Sequence, residues 1–260
     1  MRHVFITGAS SGLGRALAGF YAARGATLGL VGRREGALRD LAAALPGAHA
    51  WYRVDVRDRP ALHQAASDFL ARCGGTVDCV IASAGISAGT LTEQAEDFDV
   101  FRAIVETNLL ATVATFEPFI ASMRTARQGR LVGISSVAGV RGLPGAGAYS
   151  ASKAAVTAYC ESLRNELFAD GVRVVTIAPG YIRTPMTAHN PYRMPFLMDA
   201  EAFAARAAIA IDRGRSYTVI PWQMGMVARL MRALPDPVYD RLARNAPRKP
   251  RQTGAGRDVS

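Results

Sequence analysis

The spacing of apolar and polar positions along this chain changes repeatedly, from short β-rich runs to stretches in which apolar residues recur at helical intervals. His3 to Thr7, Thr27 to Val31, Ala50 to Val54, Val77 to Ala82, Leu131 to Ile134 and Arg173 to Ala178 read as strands, and Tyr217 to Ile220 reads as a seventh. Helical patterns lie between them: one through Leu17, Phe20 and Tyr21 that Gly25 ends, one from Leu38 to Leu45 stopped by Pro46-Gly47, one through Leu62, Ala66 and Phe69, and a long one from Phe98 to Met123. This alternation predicts an α/β fold, a single doubly wound parallel sheet of about seven strands flanked by helices. The last third of the chain is different. Thr187 to Met198, rich in Pro, Met and aromatic residues, has no period and predicts a loop over a ligand site, while Asp199 to Ile211 predicts a helix with Asp199 at its N-cap. Trp222 to Leu234 and Val238 to Ala243, separated by Pro235-Asp236-Pro237, predict a small C-terminal helical extension. The domain is expected to span 1–243, and the Pro-, Arg- and Gly-rich tail 244–260 is expected to be disordered.

The first strand leads into Thr7-Gly8-Ala9-Ser10-Ser11-Gly12-Leu13-Gly14-Arg15 and then into a helix. Glycines there permit a tight turn and let the backbone approach a pyrophosphate, whose charge the free amides and positive dipole end of the helix attract. The spacing is Gly-x-x-x-Gly-x-Gly, not the commoner Gly-x-Gly-x-x-Gly, and it makes Gly8, Ser10, Ser11, Gly12, Leu13 and Gly14 candidates for a dinucleotide. Where the second strand ends, such folds place an acid on a ribose 2′-hydroxyl or an arginine on a 2′-phosphate. Arg33 and Arg34 stand there, so NADP is expected in preference to NAD, with Arg34 or Arg15 assisting Arg33; a solvated helix start is the other reading of the pair. Asp55, followed by Val56, either accepts from an adenine amino group or caps the helix through Leu62. Ser83-Ala84-Gly85 after the fourth strand predicts a turn whose backbone at Ala84 and Gly85 faces the cofactor.

Tyr149-Ser150-Ala151-Ser152-Lys153 sets a phenol and an amine four residues apart on one helical face. A neighbouring ammonium favours the phenolate, and a tyrosine so placed can act as a general acid or base. Of the 31 Lys and Arg only Lys153 and Lys249 are lysines, so a lysine at 153 points to a need for an amine that can hydrogen-bond a ribose and relay protons. Ser135-Ser136 lies at the carboxyl end of the fifth strand, where open parallel sheets bind ligands, and Pro179-Gly180 leaves the sixth at the same edge. Asn108 sits within a helical pattern that asparagine disfavours, and serves either as a buried polar link or as a surface residue.

Composition narrows the function classes. No apolar run approaches a membrane span and no signal-peptide layout opens the chain, so a cytoplasmic protein is expected. Cys73, Cys79 and Cys160 are odd in number and widely spaced, which indicates neither a disulfide framework nor a metal site. The net charge of +10 suggests nucleic acid, but the arginines are scattered and many lie in the tail, at Arg241, Arg244, Arg248, Arg251 and Arg257, so no nucleic-acid partner is expected. Trp222 to Leu234 pairs apolar residues with Arg229 and Arg232, as a helix on an anionic membrane surface does, although packing against the domain or a subunit is the favoured role.

Thr7-Gly8-x-x-x-Gly12-x-Gly14, Asp55, Asn108, Ser135-Ser136, Tyr149-x-x-x-Lys153 and Pro179-Gly180, in this order over residues 3 to about 186, strongly resemble the classical short-chain dehydrogenase/reductase family. The resemblance implies one Rossmann domain and selects Ser136, thirteen residues before Tyr149, as the catalytic serine. It implies that Tyr149 exchanges a proton with the carbonyl or alcohol oxygen, that Ser136 hydrogen-bonds that oxygen, that Lys153 holds the nicotinamide ribose and lowers the Tyr149 pKa, and that Asn108 holds a water linking Lys153 to solvent. It further implies that Ile182 and Thr184 contact the nicotinamide carboxamide, and that the chain forms a homodimer or homotetramer. One departure is Ala82-Ser83-Ala84-Gly85 where the family has Asn-Asn-Ala-Gly, with Ser83 a partial substitute for the lost amide. The expected activity is NADPH-dependent interconversion of a ketone or aldehyde and its alcohol on a small-molecule substrate. Met186, Tyr192, Met194, Phe196, Leu197 and Met198 are candidates for an apolar substrate pocket or for packing. A 3-oxoacyl carrier-protein reductase is the alternative enzyme, and a non-catalytic dinucleotide-binding redox sensor the alternative from another class.

Overall fold

The computed structural model describes residues 1–188, 190–246 and 248–251. Strands β1 (His3–Thr7), β2 (Thr27–Gly32), β3 (Ala50–Arg53), β4 (Cys79–Ala82), β5 (Gly129–Ile134) and β6 (Val172–Pro179) form the sheet; two short strands, β7 (Ile182–Arg183) and β8 (Met198–Asp199), with the one-turn helix α7 (Pro185–Ala188) between them in the chain, pair apart from it; and β9 (Tyr217–Ile220) completes it. The order is β3-β2-β1-β4-β5-β6-β9 and every pairing is parallel. Because successive side chains in a strand point to opposite faces, β1 sends Val4 and Ile6 one way and Phe5 the other. On the first face α1 (Gly12–Ala22), α2 (Glu35–Ala44) and α8 (Ala200–Asp212) cover the sheet with Leu17, Leu38 and Phe203. On the second face α3 (Arg59–Arg72), α5 (Ala111–Ala126) and α6 (Gly147–Glu166) do so, and Phe5 packs at ring-centroid distances of 5.6 Å from Phe69 and 4.9 Å from Phe119. The strand order reverses between β1 and β4, which opens a crevice at their carboxyl ends.

The long helix expected from Phe98 to Met123 is broken. It consists of α4 (Asp97–Val105), a π-helical turn (Glu106–Leu110) and α5. Asn108 is the cause: its side chain is drawn out of the helical register to the backbone of Ile86, and the Thr112 hydroxyl donates to its carbonyl at 2.8 Å. Residues Asp97–Ala126 are together long and apolar enough to cross a membrane, but half of the most apolar window is buried in the protein, with Phe116, Phe119 and Met123 in the core.

Two other expectations are corrected. Asp199 stands at the N-cap of α8 but makes no capping bond; its carboxylate accepts from Arg183 at 2.8 Å across the β7–β8 pair. The expected disorder of 244–260 fails for Arg248–Arg251, which pack against the domain: Gly89 N–H donates to the Pro250 carbonyl at 3.0 Å, and Arg251 pairs with Asp97. Pro247 and residues 252–260 lie outside the described residues. Between β9 and this segment the chain forms α9 (Trp222–Ala233) and α10 (Asp236–Ala243). Met224 and Ala228 of α9 pack against Val137, while Trp222, Met226 and Leu230 remain 64%, 59% and 64% exposed on its outer side.

Candidate active site

A cleft at the β1–β4 switch point gathers residues from distant parts of the chain. Gly8, Ser10, Ser11, Gly12, Leu13 and Gly14 line one end with Arg33 and Arg34; Asp55, Val56, Ala84 and Gly85 form a side; and Ser136, Tyr149, Lys153, Pro179, Gly180, Ile182 and Thr184 form the other end. Arg15 is exposed and is not among the lining residues. Lining residues that the sequence patterns did not single out as ligand contacts include Ile86, Thr107 and Thr187, whose only signal was adjacency to Gly85, Asn108 and Met186.

The glycine loop fits a dinucleotide backbone. Gly8 has φ +69° and a Cβ there would lie 2.8 Å from Ala84 N, while a Cβ on Gly14 would overlap the Gly8 carbonyl, so neither position admits a side chain. Ser11, the N-cap of α1, makes no side-chain capping bond, and the first turn has no acidic residue, which leaves its amides and the helix dipole available to an anion. Arg34 donates to the Ser10 carbonyl at 3.1 Å and to its hydroxyl at 3.4 Å, holding a guanidinium against the loop. Asp55 lines the cleft with its carboxylate engaged by Arg57 at 2.6 Å, which holds it below the usual carboxylate range. Its alternative role as the cap of α3 is corrected: that cap is Asp58, which accepts from Ala61 N at 3.0 Å.

At the other end the two serines diverge. Ser135 is buried, its hydroxyl donating to the Lys153 carbonyl at 2.8 Å and bonding Thr157 at 2.7 Å, so it secures α6 to β5. Ser136 faces the cleft. Its oxygen accepts from Ala138 N at 3.1 Å, which leaves its proton to donate toward the Tyr149 phenol. Burial raises the Tyr149 pKa, opposed only by the Ser136 hydrogen bond, so at neutral pH the phenol carries its proton. Lys153 is 4% exposed; burial pulls its pKa from 10.5 down to about 8, and its Nζ donates to the Ile134 carbonyl at 2.8 Å, 5.8 Å from the Tyr149 ring centroid. In this structure the Lys153 ammonium is turned to the Ile134 carbonyl, and desolvation sets the direction of the Tyr149 shift.

Asn108 is fully buried and does not line the cleft. Its Oδ1 accepts from Ile86 N at 2.8 Å, and its Nδ2 donates to the Ile86 carbonyl and to Ser152 Oγ, both at 3.0 Å. Both amide protons are therefore spent on protein groups, which gives the side chain a positioning role in the core. Ser152 in turn donates to the Tyr149 carbonyl at 2.8 Å, and a Cβ on Gly85 would lie 3.2 Å from Asn108 Oδ1 and 3.4 Å from Lys153 Nζ, close enough to press on the Asn108 carboxamide. Asn108→Ala strands the N–H and C=O of Ile86 in the core, and the expected loss is about 2–4 kcal/mol of unfolding free energy. Urea unfolding measures it; a loss below about 0.5 kcal/mol would show that the carboxamide ties nothing together.

Ser83 does not replace the missing strand-tying amide, because its buried hydroxyl has no partner among the described residues. Thr7 takes that place, its hydroxyl accepting from Ser83 N at 3.2 Å and Ala84 N at 3.4 Å. Of the six candidate pocket residues, Met186 lines the cleft and Tyr192 stands near Tyr149. Met198 packs on the core, Phe196 is half exposed, and Met194 accepts from Asn190.

Comparison with known proteins agrees with this geometry. The short chain dehydrogenase family profile matches residues 2–193. The chain is 39% identical over 246 residues to an uncharacterized oxidoreductase of Myxococcus xanthus, covering 94% of this chain and 96% of that one. It is 39% identical over 194 residues to mouse dehydrogenase/reductase SDR family member 7B, covering 72% of this chain and 59% of the mouse protein. A solved short-chain dehydrogenase from Streptomyces avermitilis superposes with a TM-score of 0.76 at 25% identity, covering 94% of this chain and 98% of that one. A glycine loop, serine, tyrosine and lysine converging on one cleft, in a chain matched nearly end to end by such relatives, belong to one lineage: this protein is a member of the short-chain dehydrogenase family.

Proposed function

We propose that this oxidoreductase interconverts a ketone or aldehyde and its alcohol on an apolar substrate, with NADP(H) as cofactor and Tyr149 as the proton donor in reduction. The family acts on the CH–OH/C=O couple with NAD(P); the choice of NADP, the substrate class and the residue roles are our reading. The observation that carries it is the juxtaposition of the half-buried Tyr149 phenol with Ser136 in the cleft that the glycine loop closes.

The bound nicotinamide supplies or accepts the hydride. The free amides at the start of α1 would hold the pyrophosphate, Arg33 with Arg34 a 2′-phosphate, Lys153 the nicotinamide ribose, and Ile182 and Thr184 the carboxamide. Ser136, its oxygen already occupied by Ala138 N–H, donates to the substrate oxygen and stabilises the charge that develops there. Tyr149 delivers its proton to the same oxygen, which takes up one hydrogen as a proton and leaves an alcohol. Met186 and Tyr192 beside the cleft favour an apolar substituent on the carbonyl. For partners we propose self-association, with the exposed Trp222, Met226 and Leu230 of α9 as one apolar face suited to it.

The deciding experiment titrates the protein with NADPH and NADH by intrinsic fluorescence and then assays carbonyl reduction. NADPH is expected to bind tightly and NADH weakly. Arg33→Ser removes a charge-assisted contact of about 1.5–3 kcal/mol, so the NADPH dissociation constant is expected to rise about 10- to 100-fold while that of NADH stays within twofold. Equal binding of the two cofactors by the unaltered protein would make the arginine pair incidental.

A further inference from the structure

The loop that delivers the chain to Tyr149 is held by residues from the C-terminus, far away in sequence. Tyr149 lies in the first turn of α6, and that turn is built on the loop before it: Ser150 N–H donates to the Ala146 carbonyl at 2.9 Å, and Leu143 N–H donates to Ser150 Oγ at 3.3 Å. The loop has two outside attachments. At its start, Arg141 donates to the Met231 and Leu234 carbonyls at 3.1 and 3.0 Å, and the Tyr239 hydroxyl of α10 donates to the Gly142 carbonyl at 2.6 Å. At its end, the Gly145 carbonyl accepts from Thr90 N–H at 3.0 Å.

Thr90 belongs to the connection from β4 to α4, and its neighbours are pinned one after another. Ile86 is held by Asn108, Gly89 by the Pro250 carbonyl, and Leu91 N–H donates to the Asp97 carboxylate at 2.8 Å. Asp97 is 2% exposed and is gripped by Arg251 in a bidentate pair, Nε at 2.8 Å and Nη2 at 3.1 Å, with a further bond from Arg251 to Glu96 at 2.9 Å. A buried carboxylate requires such a partner, because an unpaired charge out of water is strongly disfavoured. A Cβ on Gly89 would overlap the Lys249 carbonyl, so this glycine exists where the C-terminal segment passes over it.

We propose that Arg248–Arg251 form a clamp that completes the active site: Arg251 on Asp97 and Pro250 on Gly89 fix the β4–α4 connection, which through Thr90 fixes the Gly142–Ala148 loop and hence Tyr149. Asp97, Gly89 and Arg251 are then positioning residues; none lines the cleft. The catalytic consequence rests on the role proposed for Tyr149, whereas the clamp itself does not. Displacing a reacting group by about 1 Å costs on the order of 10²-fold in rate, so releasing the clamp acts on turnover while the glycine-loop and Arg33 end of the cleft stays in place.

The test compares the full-length protein with Arg251→Gln, with Gly89→Ala, and with a chain ending at Asn245. Hydrogen exchange is read at Gly89 to Leu91 and Gly142 to Ser150, together with NADP(H) affinity, kcat and KM. Release of the clamp predicts exchange at least about tenfold faster in both segments, cofactor affinity within twofold of the parent, and kcat about tenfold lower. Arg251→Lys, which keeps the charge, is expected to restore part of the protection. If the shortened chain does not fold, the two single substitutions decide. Unchanged exchange in both overturns the clamp, and so does faster exchange with kcat and KM unchanged. A parent protein that reduces no carbonyl refutes the proposed reaction instead, and the exchange data then judge the clamp by themselves.

Discussion

Tyr149→Phe is expected to lower turnover by about 10³-fold, within the 10²- to 10⁴-fold that a positioned general acid contributes, while NADP(H) affinity stays within twofold. The variant removes one oxygen and leaves the ring, so packing in the first turn of α6 is preserved, and Ser136 keeps its bond from Ala138 N–H. Steady-state kinetics with a fluorescence titration on the same preparation measure both numbers, and turnover within tenfold of the parent would remove Tyr149 from the proton-transfer role. The direction of the reaction adds a second readout. Because burial raises the Tyr149 pKa, the protonated phenol needed for reduction persists through neutral pH, whereas the phenolate needed for alcohol oxidation becomes available only in alkali. Reduction is therefore expected to be flat with pH through neutrality, and oxidation to climb with pH, a slope that Tyr149→Phe abolishes.

Lys153 predicts an effect on stability of opposite sign to its effect on activity. Its pKa of about 8 lies below the 10.5 of the unfolded chain because burial disfavours the ammonium. Between those two pH values the unfolded state binds more protons than the folded one, so folding stability rises with pH; below about 8 that stability is lost. At about 1.4 kcal/mol per pH unit the interval amounts to ~3 kcal/mol, undiminished by solvent screening because the group is buried. Lys153→Met removes this titration. The difference in unfolding free energy between parent and variant is expected to shift by about 3 kcal/mol in favour of the parent from pH 7 to pH 10.5, with the variant inactive throughout. A difference that does not change with pH would mean that the ammonium is solvated, and the amine would lose its distinctive place in the site.

The strands and helices that position the cleft were legible because each depends on residues within a few positions of one another. The run from His3 to Thr7, the glycines at 8, 12 and 14, and the Tyr149 to Lys153 interval carry their meaning locally, and the structure brings them to one crevice. Ser136 was separable from Ser135 only through resemblance; in the structure the difference is that Ser135 is turned to the Lys153 carbonyl. Asn108 stood out as a poor helix interior residue, but its partner, Ile86, lies 22 residues earlier, and nothing local announced a π-helical turn. The strand tie shows the same limit, since Thr7 supplies at β1 what the motif comparison sought at Ser83.

The parallel α/β architecture, the dinucleotide loop and the tyrosine–lysine pair follow from local pattern alone, because periodicity, turn chemistry and side-chain spacing are properties of neighbouring residues. The directions in which the buried Lys153 and Asn108 turn, and the docking of a tail composed like a disordered segment through Arg251 onto Asp97 across 154 positions, emerge only in the folded molecule. Those outcomes depend on burial and on hydrogen bonds between segments that meet only once the sheet has assembled.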